Sequence, residues 1–167
     1  MTGVPDRAKV RRMTSRPAIL LALAFAACAP RLLPGTEIEE TRDTRAIYDT
    51  LVAYRDAMNR RDAGAVLALA APDYFDDAGT PQPQDDVDRA ILEKRLPEDL
   101  GKLETLRLEL TVRRIEVQGD KAVAEVFYDG WYLVKTPVGK DVPRRDSDLH
   151  RMALRKVQGR WLFTNGL

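Results

Sequence analysis

The sequence predicts an α+β domain in which helices precede an antiparallel sheet. The first observation is a helical period of apolar residues over 41–60. The second is an alternation of apolar and polar residues over 106–112, which is typical of a half-buried strand. The third is a pair of Gly-containing turns, at 118–121 and 158–159, that join the later strands into hairpins.

The first predicted helix covers residues 41–60 and presents one apolar face. Its apolar residues recur at i, i+4, i+7 and i+11, and they are Ile47, Leu51, Tyr54 and Met58. Asp43 or Thr44 is expected to cap its start. A second helix is expected to begin at Asp62 and to stop at Pro72.

A third helix is predicted to begin at Asp85 or Asp86 and to end at Pro97, because proline interrupts the hydrogen bonds of a helix. The segment between the second and third helices divides into two parts. Residues 73–75 predict a short strand or an extended entry, and the polar, turn-rich residues 76–86 predict a loop.

Four strands are predicted in the rest of the chain. The alternation over 106–112 slips in phase before Ile115, so one extra residue near Arg113 and Arg114 predicts a β-bulge that bends the first strand. The second strand is predicted over 122–135 and the last over 161–164.

The third strand is predicted over 148–157, after a loop or ragged hairpin at 136–148. The charged run 140–148 mixes both signs and contains Pro143. It is interpreted as a solvated loop or as an edge strand that charge and proline protect from further pairing.

The first 27 residues predict a secretory signal peptide. Five basic residues and one acid precede the ten-residue apolar run 18–27. Ten residues span only about 15 Å as a helix, half of the hydrocarbon thickness, so a permanent transmembrane helix is not expected. A start at Met1 or at Met13 is compatible with this pattern.

The residues Phe25-Ala26-Ala27-Cys28 resemble a bacterial lipobox. The resemblance implies that Cys28 becomes the N-terminus and is acylated, which would anchor the chain to a lipid bilayer. The expected location is then the bacterial cell envelope, with the outer membrane favoured and the domain facing the periplasm or the exterior. The alternative is a plain signal peptide that is cleaved after an Ala-x-Ala sequence.

Composition excludes several classes of site and partner. The 167 residues include 27 Lys and Arg, 26 Asp and Glu, one His and one Cys, for a net charge of +1. Without the first 27 residues the basic and acidic counts are 22 and 25, a net charge of −3. No nucleic-acid partner is therefore expected, and no metal or cofactor, because the chain lacks a multi-ligand pattern and any nucleotide-binding motif.

Residues 28–40 are expected to form the acylated cysteine and a tether, and residues 41–167 a single domain. Within that domain four sequences, at 59–66, 71–75, 115–122 and 154–161, together resemble the NTF2-like (SnoaL/ketosteroid-isomerase-like) superfamily. They read NRRDAGAV, APDYF, IEVQGDKA and LRKVQGRW. The resemblance implies a conical barrel in which N-terminal helices pack on a strongly bent antiparallel sheet around an apolar cavity.

The candidate catalytic residues are His150, Tyr128 and Asp73. His150 is in phase with Met152 and Leu154, and an imidazole can act as a general base near neutral pH. Structural roles for His150 and Asp73 are the simpler interpretation, and Tyr128 is expected to point inward with Ala122, Ala124 and Val126. The candidates for lining a pocket are Tyr54, Tyr74, Tyr128, Trp131 and Met152.

Two functions follow as expectations. The first is a membrane-anchored lipoprotein whose non-catalytic domain binds a small apolar ligand or a protein partner. The alternative is a cofactor-independent cavity enzyme of the isomerase, dehydratase or hydrolase type that uses His150 with Tyr128 or an Asp. A homodimer formed through the sheet is a further expectation, with Trp131 at its interface.

Overall fold

The computed structural model describes residues 30–136 and 139–167, so the predicted signal peptide and Cys28 lie outside the described residues. Three helices and six strands are present in these ranges. The helices are α1 Arg42–Asn59, α2 Ala63–Leu67 and α3 Arg89–Gly101. The strands are β1 Phe75–Asp76, β2 Val87–Asp88, β3 Leu103–Gln118, β4 Lys121–Val134, β5 Val142–Val157 and β6 Arg160–Asn165.

The main sheet is antiparallel and has the order β3-β4-β5-β6, which confirms the predicted α+β class. The predicted bulge is also confirmed. Val112 pairs with Val126 and Arg114 with Glu125, so Arg113 has no partner of its own on β4. The extra residue restores Ile115 to the inner face of the sheet and lets this long strand bend.

The core lies between α1 and the inner face of the sheet. Ile47 and Leu51 of α1 pack with Val126, Leu154 and Phe163, all of which are buried. The N-cap of α1 is Thr41, which forms a capping box with Thr44. The prediction of a cap at Asp43 or Thr44 was therefore wrong by two or three positions.

The second helix ends at Leu67, before the predicted stop at Pro72. The next residues pair with the last strand instead of continuing the helix. Phe163 donates its N–H to Leu69 O at 2.8 Å, and Ala71 donates to Phe163 O at 2.7 Å. The guanidinium of Arg89 caps the same region through Leu67 O and Ala70 O.

The third helix starts later and ends later than predicted. Val87 belongs to a strand, and Asp88 is the N-cap that accepts the N–H of Ile91. The helix continues through Pro97 because Leu92 and Leu100, on either side of it along the helix, are both buried. Packing of this apolar face outweighs the backbone hydrogen bond lost at the proline.

The predicted loop at 140–148 is mostly strand, because β5 pairs with β4 from Val142 onward. The alternative of an edge strand is confirmed. Strand β6 pairs only with residues Ala153–Val157 of β5. Among the described residues, the part of β5 before Ala153 therefore has no strand paired to the edge that faces away from β4. Pro143 is tolerated there since an outward-facing position needs no N–H donor.

Residues 31–40, which were expected to belong to a tether, fold against the domain. Leu32 bridges to Glu39, and Leu33 donates its N–H to Ile38 O at 2.9 Å. Leu33 is almost completely buried. Among the described residues, no helix has the length and apolar character needed to cross a bilayer.

Candidate functional site

A cavity of about 200 Å³ lies between α1 and the inner face of strands β3, β4 and β5. Its wall is mainly apolar and aromatic, with a few polar groups, which is the usual composition of a small-molecule site. The lining residues are Tyr54, Met58, Leu106, Leu108, Leu110, Tyr128, Gly130, Tyr132, Asp146, His150 and Met152.

The space exists because Gly130 has no side chain. On the inner face of β4 it separates Tyr128 from Tyr132, and its cross-strand neighbours are Leu108 and Asp146. A Cβ atom built on Gly130 would lie 3.6 Å from Asp146 O, an ordinary contact. The backbone therefore tolerates a side chain at this position, and a larger one would occupy the cavity.

Tyr128 and Asp146 form the polar pair of the cavity. The Tyr128 hydroxyl donates to Asp146 Oδ2 at 2.8 Å. Burial, followed by this bond and the charge of Asp146, raises the pKa of Tyr128 to about 12. The proton therefore stays on Tyr128 at neutral pH, where its hydroxyl is the donor of the pair.

His150 lies beside this pair. Its ring centroid is 5.8 Å from that of Tyr128, with an interplanar angle of 49°. His150 and Asp146 are both exposed, so the polar end of the cavity is also its open end. The pair is thus reachable by a ligand that enters from solvent.

Tyr54 contributes a second tyrosine from α1, and its side chain is 8% exposed. Its ring meets Phe163 edge-on at a centroid distance of 5.7 Å. Burial, with a smaller effect of Tyr128, raises the pKa of Tyr54 to about 12. No hydrogen bond contributes to that shift. The Tyr54 hydroxyl therefore remains protonated beside the cavity at neutral pH.

The structure brings four of the sequence-predicted residues together at this cavity, namely Tyr54, Tyr128, His150 and Met152. Sequence reasoning missed Asp146. Asp146 lies four residues before His150 and therefore on the same face of β5, but the segment 140–148 was interpreted only as a solvated loop or an edge strand.

The other predicted residues lie elsewhere. Tyr74 is buried, where its hydroxyl donates to Asp76 and accepts the N–H of Leu167. Trp131 lies on the outer face of the sheet beneath Arg145, with 4.4 Å between the guanidinium carbon and the ring centroid.

Asp73 pairs with Arg155 at 2.5 Å, beside an open groove of about 430 Å³ on the outer face of the sheet. That groove is larger than the inner cavity. The inner cavity is the better candidate site because its wall is more apolar and several titratable groups converge on it. Within the described residues, no three His, Cys, Asp or Glu side chains are arranged to hold a metal ion.

Comparison with solved structures identifies the fold. A protein from Novosphingobium aromaticivorans, proposed to be a scytalone dehydratase, superposes with a TM-score of 0.63 at 16% identity, over 74% of this chain and 80% of its own. An NTF2-like superfamily protein from Salmonella enterica serovar Typhimurium gives 0.62 at 16% identity, over 75% and 90%. The chain has the NTF2-like fold.

A third NTF2-like structure, from Streptomyces avermitilis and proposed to be a dehydratase, gives a TM-score of 0.55 at 16% identity, over 75% of this chain and 95% of its own. Identities this low establish the NTF2-like fold alone and carry no activity to this chain. No protein-family profile matches the sequence, and no curated protein is significantly similar to it.

Proposed function

We propose that this chain is a membrane-anchored lipoprotein whose NTF2-like domain binds a small, mainly apolar ligand without transforming it. The observation that carries the proposal is the cavity held open by Gly130 between Tyr128 and Tyr132. Leucine and methionine side chains supply most of the remaining wall. Burying an apolar ligand against such a wall is favourable by roughly 25 cal/mol per Å² of apolar surface.

A binding role is supported by the exposure of the polar end. General acid–base catalysis in cavities of this kind depends on a preorganised site that excludes water. Here Asp146 and His150 are exposed, while the buried tyrosine of α1 is held protonated. The arrangement suits recognition of a polar group at the mouth and of an apolar body inside.

The test is a cavity-filling substitution. We expect tert-butylbenzene, a neutral apolar probe, to bind the full chain saturably in ligand-observed NMR titrations. Gly130→Leu should weaken this binding at least tenfold because the new side chain occupies the cavity. Gly101→Leu is the matched control, since an added side chain at Gly101 meets nothing within 4 Å. Absence of saturable binding, or equal binding by Gly130→Leu, would contradict the proposal.

The lipid anchor is tested at Cys28. The chain expressed in a bacterium should carry acyl chains on an N-terminal Cys28, as measured by mass spectrometry, and should fractionate with the outer membrane. Cys28→Ser should release it into the soluble fraction, whereas Ala29→Ser should not. An unmodified cysteine or an N-terminus at another residue would refute the anchor.

The second candidate is a cofactor-independent cavity enzyme of the isomerase, dehydratase or hydrolase type. The Tyr128–Asp146 hydrogen bond and the neighbouring imidazole of His150 favour it, because tyrosine and histidine can serve as acid and base. Its Asp would be Asp146, since Asp73 lies on another surface. An enzyme of the isomerase type should exchange α-hydrogens of a small enolisable ketone in D₂O, and His150→Ala should slow that exchange.

We also propose that the outer face of the sheet binds a second copy of this chain. Phe127, Trp131 and Leu149 are exposed there by 37%, 51% and 57%. The charged side chains around them include both basic and acidic residues. They form three ion pairs, which are Arg107–Glu109, Arg145–Asp129 and Arg151–Glu125. A face with balanced charge and exposed apolar side chains can meet its own copy without net repulsion.

A further inference from the structure

The cavity presents a carboxylate opposite a gap between two tyrosines. Asp146 lies directly across from Gly130, and Tyr128 and Tyr132 flank that glycine on the same face of β4. Along the strand each tyrosine is about 7 Å from Gly130, so the two tyrosines are about 13 Å apart at the backbone. Leu108 closes the side of the gap opposite Asp146.

Asp146 has no ion-pair partner among the residues that the structure describes. The lining of the cavity contains one carboxylate and no Lys or Arg. Among the ion pairs formed by residues 30–136 and 139–167, none includes Asp146. Arg144 and Asp148 occupy the neighbouring inner positions of β5, and neither lines the cavity.

The aromatic rings at this point favour the same sign of ligand charge. Tyr54, Tyr128 and Tyr132 all line the cavity, and the face of a tyrosine ring attracts cations. Met58 and Met152 also line the cavity, and methionine side chains are polarisable. A cation placed in the gap would therefore meet a carboxylate and aromatic rings while its apolar part contacts leucines.

We propose that the cavity selects a ligand with a cationic nitrogen, an alkylated or quaternary ammonium group on a small apolar body. This inference rests on the proposed binding function and adds the chemical class of the ligand. Asp146 supplies the charge, and the tyrosines on either side of Gly130 supply the ring surfaces for the ammonium group. Neutral molecules of the same shape fill the same space without this gain.

The experiment compares two probes of nearly equal shape, phenyltrimethylammonium and neutral tert-butylbenzene, each titrated into the full chain. We expect the cation to bind at least tenfold more tightly, which corresponds to about 1.4 kcal/mol. Asp146→Asn should reduce this preference to less than threefold. Asp141→Asn removes the same charge from an exposed position outside the cavity and should keep the preference.

The outcomes separate the two proposals. Equal binding of both probes, or a preference unchanged by Asp146→Asn, would overturn the ammonium inference and leave the binding function standing. Failure of tert-butylbenzene to bind saturably would overturn the binding function itself, and with it the inference that rests on that function. Tyr132→Leu gives an independent reading if Asp146→Asn does not fold. Tyr132→Leu should weaken binding of the cation at least threefold and weaken binding of the neutral probe less. If binding of the neutral probe is weakened as much as binding of the cation, or more, the inference is overturned.

Discussion

Asn59, the last residue of α1, joins this helix to strand β3. Its side-chain amide donates to Leu108 O at 3.0 Å and accepts the N–H of Leu108 at 2.6 Å. Both bonds satisfy backbone groups on the edge of β3, which would otherwise be open to solvent or to another strand. A single residue thus positions the end of α1 over the cavity wall that Leu108 helps to form.

Replacing Asn59 tests this role. Asn59→Ala should lower the free energy of unfolding by about 1–3 kcal/mol, because it leaves two backbone groups at a part-buried site without partners. Urea denaturation measures the change. Asn165→Ala is the matched control, because the Asn165 amide makes one exposed hydrogen bond, to Phe75 O at 3.2 Å. Equal losses for the two variants would contradict the assignment.

The pair formed by Tyr128 and Asp146 predicts a change in alkaline titration. The pKa of Tyr128 is raised in the folded state, so its contribution to stability is complete below the ordinary tyrosine pKa of about 10 and is lost as pH rises towards 12. Asp146→Asn removes a charge and alters the hydrogen bond, and should lower the pKa of Tyr128. The pKa should stay above 10 because burial, its largest cause, remains.

Spectrophotometric titration of tyrosinate measures this shift as the difference between the wild type and Asp146→Asn. Asp141→Asn serves as the control, since it removes an equal charge from an exposed position away from Tyr128. If the two variants titrate alike, Asp146 does not act on Tyr128 in solution.

At the scale of the elements, the bulge at Arg113 determines which side chains of β3 face the core. Deleting Arg113 removes the extra residue, so either Ile115 and Val117 or the leucines before the bulge must turn outward. We expect a loss of several kcal/mol in the free energy of unfolding, or failure to fold. Arg113→Ala keeps the chain length and, being exposed, should change stability by less than about 0.5 kcal/mol. Comparable melting temperatures for the deletion and the wild type would refute this account.

The sequence predicted those elements whose own residues carry a periodic signal. The face of α1 and the phase slip of β3 are local patterns of apolar residues, and both were found. The first half of β5 was left open between a loop and an edge strand because Arg144, Asp146 and Asp148 carry no burial signal. They are strand residues because β4 pairs with them along its whole length. The same limit concealed Asp146 from the candidate site, whereas Tyr54, Tyr128, His150 and Met152 shared a phase with buried neighbours.

For the whole molecule, the exposed apolar side chains on the outer face predict an association that one substitution should disrupt. Leu149→Lys places a charge among Phe127 and Trp131 and should convert a dimer into a monomer in multi-angle light scattering. Leu32→Lys is the control, because Leu32 is also exposed but lies outside this face. A wild-type monomer at high concentration would refute the dimer.

The order of the strands also bears on how fast the domain can form. Each strand of the main sheet pairs with its neighbour in the sequence, and two-residue turns after Gln118 and Val157 join the β3–β4 and β5–β6 pairs. Short loops cost little chain entropy to close, so these hairpins can form before distant contacts are made. The contacts of α1 with β6 join residues more than a hundred positions apart, so we expect the docking of α1 to be the slowest step. We therefore expect the domain to complete its sheet first and to close its cavity last.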